Sequence, residues 1–320
     1  MKRVAIVGYG KIARKHIAAL RKVGCKIVAS CNRSENGNLA ASREEKIPFT
    51  FYSLDEMIRK TKPDGVLVSV SFDHIYQVAK ELIPYQIPLL LEKPTGTCLE
   101  EHLELAGLAK QYKTPVQVAL NRRHYSVVEK AVADAGGRDA ISSVVVEWSE
   151  RPEYLFNERN FTPEQIRQVI IGNSIHGIDL MLYIAGGCDD WQMLALEKDK
   201  PFRWLMNVCG ISERQILFNF HSSWDSPVPW RLVLHSKHKR YVFAPLETCS
   251  VFEENIKGTR SIEPEWFDKE MKAGFYTQSS RFLDLMKGIP NSHNLDSATC
   301  SVRMADKLTQ AFQSIDVPVN

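Results

Sequence analysis

Gly8, Gly10 and Ala13 stand in the spacing G-x-G-x-x-A, a pattern in which the backbone rather than a side chain does the chemistry. Gly8 permits a tight turn after the apolar run Val4 to Val7. Gly10 lets the main chain approach a pyrophosphate, and Ala13 allows a helix to pack closely on the preceding strand. The amides at the start of that helix, around Lys11 and Ile12, face the phosphate charge. A second chemical stretch is Glu92-Lys93-Pro94, directly after Leu89 to Leu91. Moving a hydride to or from a carbinol carbon also requires a proton to move on its oxygen, and a lysine beside the nicotinamide can give or take that hydrogen bond. Taken alone, a lysine is more often a solvated surface cation. A third stretch is Asn32-Arg33-Ser34, where a dinucleotide-binding strand normally ends in a carboxylate for the ribose hydroxyls of NAD. That acid is missing here. Arg33 can pair with a 2′-phosphate and Ser34 can hydrogen-bond it, so the expected cofactor is NAD(P)(H) with a lean to NADP; Arg33 reads equally as a solvated loop cation.

These groups need strands and helices that deliver them to one rim. Val4 to Val7, Lys26 to Cys31, Gly65 to Val70 and Leu89 to Leu91 read as short apolar strands, and stretches through Leu20, from Ser53 to Lys60 and from His74 to Ile83 read as helices between them. Alternation of this length implies a parallel sheet with right-handed crossovers, and such sheets bind ligands beyond the carboxyl ends of their strands. Ser71 and His74, past one strand, and Glu92, Lys93 and Pro94, past another, are therefore expected on the same rim as Gly8 and Gly10.

Composition narrows the function classes. At 320 residues two domains are the better expectation, and 44% hydrophobic with 25% charged residues is ordinary for a globular chain. A net charge of +3 without a basic stripe gives nucleic acid no electrostatic footprint. No apolar run approaches bilayer-spanning length, so no membrane association and a cytoplasmic location are expected. The seven cysteines are scattered without C-x-x-C pairs, which points to reduced, mostly buried thiols and no metal site.

The glycine pattern, Glu92-Lys93-Pro94, Asn121-Arg122-Arg123 and the stretch Gly172-Asn173-Ser174-Ile175-His176-Gly177-Ile178-Asp179 occur in that order. With Gln278, Phe282, Gly288 and Pro290 ahead of a last helix from Asp296 to about Phe312, the sequence resembles the glucose-fructose oxidoreductase and inositol dehydrogenase family (Gfo/Idh/MocA) along nearly its whole length. The resemblance implies an α/β Rossmann domain plus an α+β domain with a large open, mainly antiparallel sheet, with the active site between them. It implies an NAD(P)-dependent oxidoreductase acting on CH-OH groups of sugars, inositols, nucleotide sugars or related polyols. In that family Lys93 would hydrogen-bond the reacting oxygen and His176 would exchange a proton with it. Asn121, Arg122 and Arg123 would approach the substrate and nicotinamide, and Asn173 could hydrogen-bond a hydroxyl. Asp179 reads equally as a capping or solvated carboxylate and as a substrate-facing group. The family commonly has an aspartate where this chain has Gly172. An aspartate there would raise the imidazole pKa and order the substrate, and glycine can do neither. The same departure motivates an alternative, a nucleotide-binding regulator or scaffold without turnover. Family members usually assemble as oligomers through the sheet face, so a homodimer or homotetramer is expected.

The second half supplies the platform. SSVVVEWS, RQILFNFHSSW, WRLVLHSKH and RYVFAPL alternate as antiparallel strands do, and Thr162-Pro163-Glu164 should start the helical insert that carries His176. Trp148, Trp224 and Trp230 are expected in core or interface. The expected division is residues 1–120 as the nucleotide-binding domain, 121–295 as the sheet-rich domain, and 296–320 as a helix packing back towards the first.

Overall fold

A computed structural model of the chain describes residues 1–187, 190–197, 202–224, 226 and 230–313. Two compact units emerge. The first is Met1–His124 with Phe267–Thr299; the second is Tyr125–Trp266 with Cys300 onward.

The first unit is built on six strands: β1 (Arg3–Val7), β2 (Lys26–Cys31), β3 (Phe49–Phe51), β4 (Gly65–Val68), β5 (Leu89–Leu91) and β6 (Val116–Val118). They run parallel in the order β3-β2-β1-β4-β5-β6, the doubly wound arrangement. The helices between them are α1 (Lys11–Lys22), α2 (Glu35–Glu45), α3 (Leu54–Thr61), α4 (Ile75–Leu82) and α5 (Leu99–Tyr112). Successive residues of β1 face opposite sides, as the pleat requires. Val4 and Ile6 pack with Ala13, Ile17 and Leu20 of α1, while Ala5 and Val7 pack with Met57 of α3 and Leu105 of α5.

The second unit starts with α6 (Ser126–Asp134) and the long strand β7 (Ile141–Trp148). Then come α7 (Pro152–Asn157), α8 (Pro163–Arg167) and α9 (Ile175–Ala185). Strands β8 (Trp191–Glu197), β9 (Trp204–Ile211), β10 (Leu217–Ser223), β11 (Arg231–Ser236), β12 (Lys239–Phe243), β13 (Cys249–Glu253) and β14 (Arg260–Ile262) complete an eight-stranded sheet in the order β14-β13-β12-β11-β7-β10-β9-β8. Only the β7–β10 pair is parallel among the described pairings of this sheet. Its inner face buries Val144, Val146, Trp148, Phe218, Phe220, Leu232 and Phe243; Leu194, Leu196, Ile211 and Leu217 stay exposed.

The chain then passes through α10 (Trp266–Glu270) into α11 (Phe275–Met286), and ends in α12 (Leu295–Gln313). The division of the chain therefore departs from one drawn at residues 120 and 295. Residues 267–299 belong with the parallel sheet, because α11 covers the part of its α1 face that no crossover helix reaches, burying Phe282, Leu285 and Met286 there. Gly65 is pressed so closely on Met286 and Phe282 that an added Cβ would lie 2.9 Å from the Phe282 ring. From Cys300 onward α12 belongs to the second unit, where Phe312 stacks on Trp204 with centroids 4.3 Å apart.

Trp148 and Trp224 are buried, and Trp230 stacks on Trp148 at 4.0 Å. Six cysteines are free thiols; Cys209 is exposed and Cys188 lies outside the described residues. Burial pushes Cys25 and Cys31 up to about 11 and Cys249 up to about 12, which keeps them protonated and inert. No helix among the described residues is long and apolar enough to cross a membrane.

Candidate active site

Because the first sheet is parallel, the residues following β1, β2, β4, β5 and β6 share one rim, and backbone bonds hold that rim level. The Gly8 N–H donates to Cys31 O at 3.0 Å, Ser69 N–H to Val7 O at 2.8 Å, and Glu92 N–H to Val68 O at 2.9 Å. Gly8 has φ +85°, and a Cβ there would meet Ser69 O at 2.6 Å, so both conformation and space demand glycine. Gly10 has a different reason. It is the N-cap of α1 with no side-chain cap, and nothing lies within 4 Å of where its Cβ would be. The first turn of α1 carries no acid, Lys11 and Ile12 are exposed, and Ala13 is fully buried. Uncapped amides, an open cradle and no competing carboxylate fit a dinucleotide's pyrophosphate.

At the end of β2, Asn32 is turned inward. Its Nδ2 donates to Asn38 Oδ1 at 2.9 Å, and Asn38 Nδ2 donates to Phe51 O at 3.1 Å. Ser34 Oγ caps α2 by accepting from Gly37 N–H at 3.1 Å. Arg33 is exposed, with no hydrogen bond or ion pair among the described residues. Past β4, Ser71 Oγ lies 3.3 Å from His74 Nδ1, and Asp73 lies 2.9 Å from the same nitrogen. Burial raises the Asp73 pKa, but the hydrogen bonds from Ser71 and His74 outweigh it and hold the carboxyl below its usual range.

The turn after β5 is anchored through a residue the sequence did not single out. His16 of α1, fully buried, places Nε2 2.6 Å from Glu92 Oε1, and the Lys93 N–H donates to Glu92 Oε2 at 3.1 Å. Burial works against the Glu92 charge, yet the His16 hydrogen bond and the charges of His16, Lys93 and Lys272 prevail and lower its pKa. The His16 ring packs on Phe275 of α11 at 4.4 Å. Glu92 therefore ties the helix with the open N-terminus to the backbone of Lys93, and the Lys93–Pro94 peptide is cis.

Asn121, Arg122 and Arg123 follow β6 in a 3₁₀ turn and are all buried. Asn121 Nδ2 donates to Ala273 O, and Arg122 Nη1 donates to Asn121 Oδ1. Arg123 gives Nη1 and Nη2 to Ser297 Oγ and O, each at 2.9 Å. Arg123 thus fastens the turn to the start of α12 instead of presenting a cation to a ligand.

In the second unit, Thr162 caps α8 in a capping box with Gln165 and Pro163 at the first position, but the helix stops at Arg167. A π-helical turn, Ile170–Ser174, precedes α9, and π turns recur at functional sites. His176 is in the first turn of α9 and 6% exposed. The helix lies directly on Trp148 because Gly177 has no side chain; a Cβ there would clash with the indole ring, 2.7 Å from Cδ2. Asp179 is buried and accepts from Ser301 Oγ of α12 at 2.8 Å, which binds helix to helix. Gly172 has open space around its missing Cβ.

The carboxylate of this region is Glu150, just past β7. It is buried and accepts from Trp148 Nε1 at 3.0 Å, from Ser174 Oγ at 2.8 Å, and from Asn173 Nδ2 on both oxygens at 2.9 and 3.0 Å. The sequence offered no motif for it.

Residues 2–120 match the model of the oxidoreductase family with an NAD-binding Rossmann fold (Gfo/Idh/MocA). The chain is 30% identical over 125 residues to the rhizopine catabolism protein MocA of Rhizobium meliloti, a match covering 38% of each. It is 25% identical over 194 residues to 1,5-anhydro-D-fructose reductase of Ensifer adhaerens, covering 58% of this chain and 56% of that one. The matched stretches thus span well under two thirds of either curated relative. In fold the likeness is almost end to end: a Gfo/Idh/MocA family oxidoreductase from Vibrio cholerae superposes with a TM-score of 0.82 at 16% identity, covering 98% of both chains. Residues 2–120 are thus similar to the Gfo/Idh/MocA family of NAD-binding oxidoreductases, and over nearly its whole length the chain shares the fold of a solved structure of that family.

Proposed function

We propose that the protein is an NAD(P)-dependent dehydrogenase or reductase that acts on a CH-OH or keto carbon of a sugar, nucleotide sugar or related polyol. Lys93 and His176 handle the substrate oxygen. A bound nicotinamide would supply or take the hydride. The chain's own groups bind, orient and move the proton: the Lys93 ammonium hydrogen-bonds the reacting oxygen, and the His176 imidazole, which can gain or lose a proton near neutral pH, exchanges one with it. The observation that carries this reading is the Glu92 bridge, 2.6 Å to His16 and 3.1 Å to the Lys93 amide, which fixes the lysine's backbone to the helix whose N-terminus fits a pyrophosphate. The name of the Ensifer relative points to the same substrate class.

Cofactor contacts are assigned to Gly8, Gly10, Lys11, Ile12, Ala13, Asn32, Arg33, Ser34, Ser71, His74, Glu92, Lys93 and Pro94. The exposed Arg33, unpaired among the described residues, and the absence of a carboxylate at Asn32 support NADP over NAD. Asn173 is kept as a substrate contact. Arg123 and Asp179 are not, since Ser297 and Ser301 hold them. Assembly as a homodimer or homotetramer through the outer face of the second sheet is supported by its exposed leucines and Ile211.

The test titrates NADPH and NADH by fluorescence and screens sugars and polyols for a change in nicotinamide absorbance. Lys93→Ala and His176→Ala should each cut kcat by about 10²–10⁴, and His176→Ala should leave the cofactor Kd within a few-fold. Tight cofactor binding without turnover on any polyol would overturn the enzymatic reading in favour of a nucleotide-binding regulator.

A further inference from the structure

The Glu150 cluster fixes which way the Asn173 amide faces. An ionised carboxylate is an acceptor only, so the amide edge within 3.0 Å of both its oxygens is the NH2 edge, and the opposite orientation would set carbonyl oxygen against carboxylate. The carboxylate itself cannot swing away. Trp148 Nε1 and Ser174 Oγ hold it, and Trp148 is clamped between Trp230 and the backbone at Gly177. Asn173 is half-buried, and its Oδ1 has no partner among the described residues. It lies three positions before His176, in the π turn that leads directly into α9.

We propose that Glu150 is a positioning residue that locks Asn173 Oδ1 outward as an acceptor, so that the His176 side of the site selects a neutral substrate bearing a free hydroxyl next to the reacting carbon. A carboxylate or phosphate at that place meets an outward-facing carbonyl oxygen backed by a buried anion, and is rejected by like charge and by the lack of a donor. The inference rests on the oxidoreductase reading for the word substrate, but the selectivity itself is a property of binding. It opposes an acidic or phosphorylated substrate.

The test is calorimetric binding to the full-length protein saturated with oxidised cofactor, comparing D-glucitol with D-gluconate and D-glucose with D-glucuronate. The unaltered protein should bind the neutral member of each pair at least tenfold more tightly. In Glu150→Gln the amide oxygen can keep Trp148, Ser174 and one bond from Asn173 Nδ2, but the other edge becomes a donor facing the same Nδ2 and the buried negative charge is lost, so the lock on the Asn173 amide is weakened. The neutral-to-acid ratio should then fall by at least tenfold, with acid binding gained. Asn173→Ala, which leaves the carboxylate on Trp148 and Ser174, should lower the same ratio and carries the test if Glu150→Gln melts early. Equal or tighter binding of the acids by the unaltered protein, no binding by any of the four probes, or an unchanged ratio in both variants would overturn the proposal. Selective binding without turnover would overturn the enzymatic reading and leave this one standing.

Discussion

At the scale of single residues, position along the chain and chemical role separate in both directions. Arg123 and Asp179 sit within the stretches that resemble the family's site, yet their polar atoms go to Ser297 and Ser301. His16 and Glu150, which no motif marks, become chemically important through partners distant in sequence: His16 meets Glu92 seventy-six positions on, and Glu150 meets Asn173 twenty-three positions on, beyond α7 and α8. A sequence shows residue type and spacing along the chain, not which carboxylate a buried imidazole will reach. The glycines were legible because their task is set by backbone geometry next to a strand and a helix. Arg33 is the position where the residue scale makes a direct prediction. If its free guanidinium binds a 2′-phosphate, Arg33→Ala should weaken NADPH by about ten- to a hundredfold, the worth of a charge-assisted hydrogen bond, and leave NADH nearly unchanged. Paired titrations of both nucleotides decide it; an equal loss for the two would return Arg33 to a loop cation.

At the scale of elements, β1, β2, β4 and β5 with α1, α3 and α4 were readable from apolar runs and turn residues, and so were β7, β10, β11 and β12, whereas β3, α2 and α5 were not singled out. The short strands β13 and β14 carry too few alternating residues to stand out, and the edge strand β8, largely exposed, is defined by its backbone pairing with β9. The insert with His176 was expected to be one helix from Thr162, but it is α8, a π turn and α9 in succession. The π turn brings Asn173 and Ser174 to Glu150, and no periodicity in IIGNS announces it. What sets the height of α9 above the sheet is Gly177. Gly177→Ala would place a methyl group in the fully buried Trp148 ring, which cannot retreat because Trp230 stacks behind it at 4.0 Å. The cost should be about 1–3 kcal/mol of stability, read as a lower urea midpoint, as for other overpacked cores. Since α9 would lift or tilt, kcat should fall more than cofactor affinity does. A variant as stable and active as the parent would show that the helix does not depend on this contact for its seat.

At the scale of the whole molecule, two units were legible from length and from the change of hydrophobic period, but not the return of Phe267–Thr299 to the first unit. That return is decided by an uncovered half of a sheet face, a three-dimensional vacancy with no counterpart in local sequence. The outer face of the second sheet predicts assembly: Leu217→Arg, at a side chain 55% exposed on β10, should shift the protein to a smaller species in light scattering while leaving its melting behaviour intact. Dissociation-free behaviour of that variant would move the interface elsewhere. A last consequence concerns acid. Burial lowers His102 from 6.5 to about 4, against the raising effect of its hydrogen bond to Leu295 O, and lowers His124 well below its usual value. Both imidazoles are therefore neutral when folded, and the unfolded chain takes up protons first. The contribution of His102 is complete above about pH 6.5 and is lost as pH falls towards about 4, by up to about 1.4 kcal/mol per pH unit, and that of His124 is lost in the same direction. Glu92 adds a later loss. Its carboxyl is held below the ordinary glutamate value, so its stabilisation is present above about pH 4.3 and disappears as pH drops through the lowered folded value. Urea midpoints measured from pH 7.5 down to 4 should thus begin to fall near pH 6.5, well before any carboxylate titrates. In His102→Gln the slope between pH 6.5 and 5 should shrink by about one proton's worth, and an unchanged slope would mean that His102 is already solvated in the folded protein.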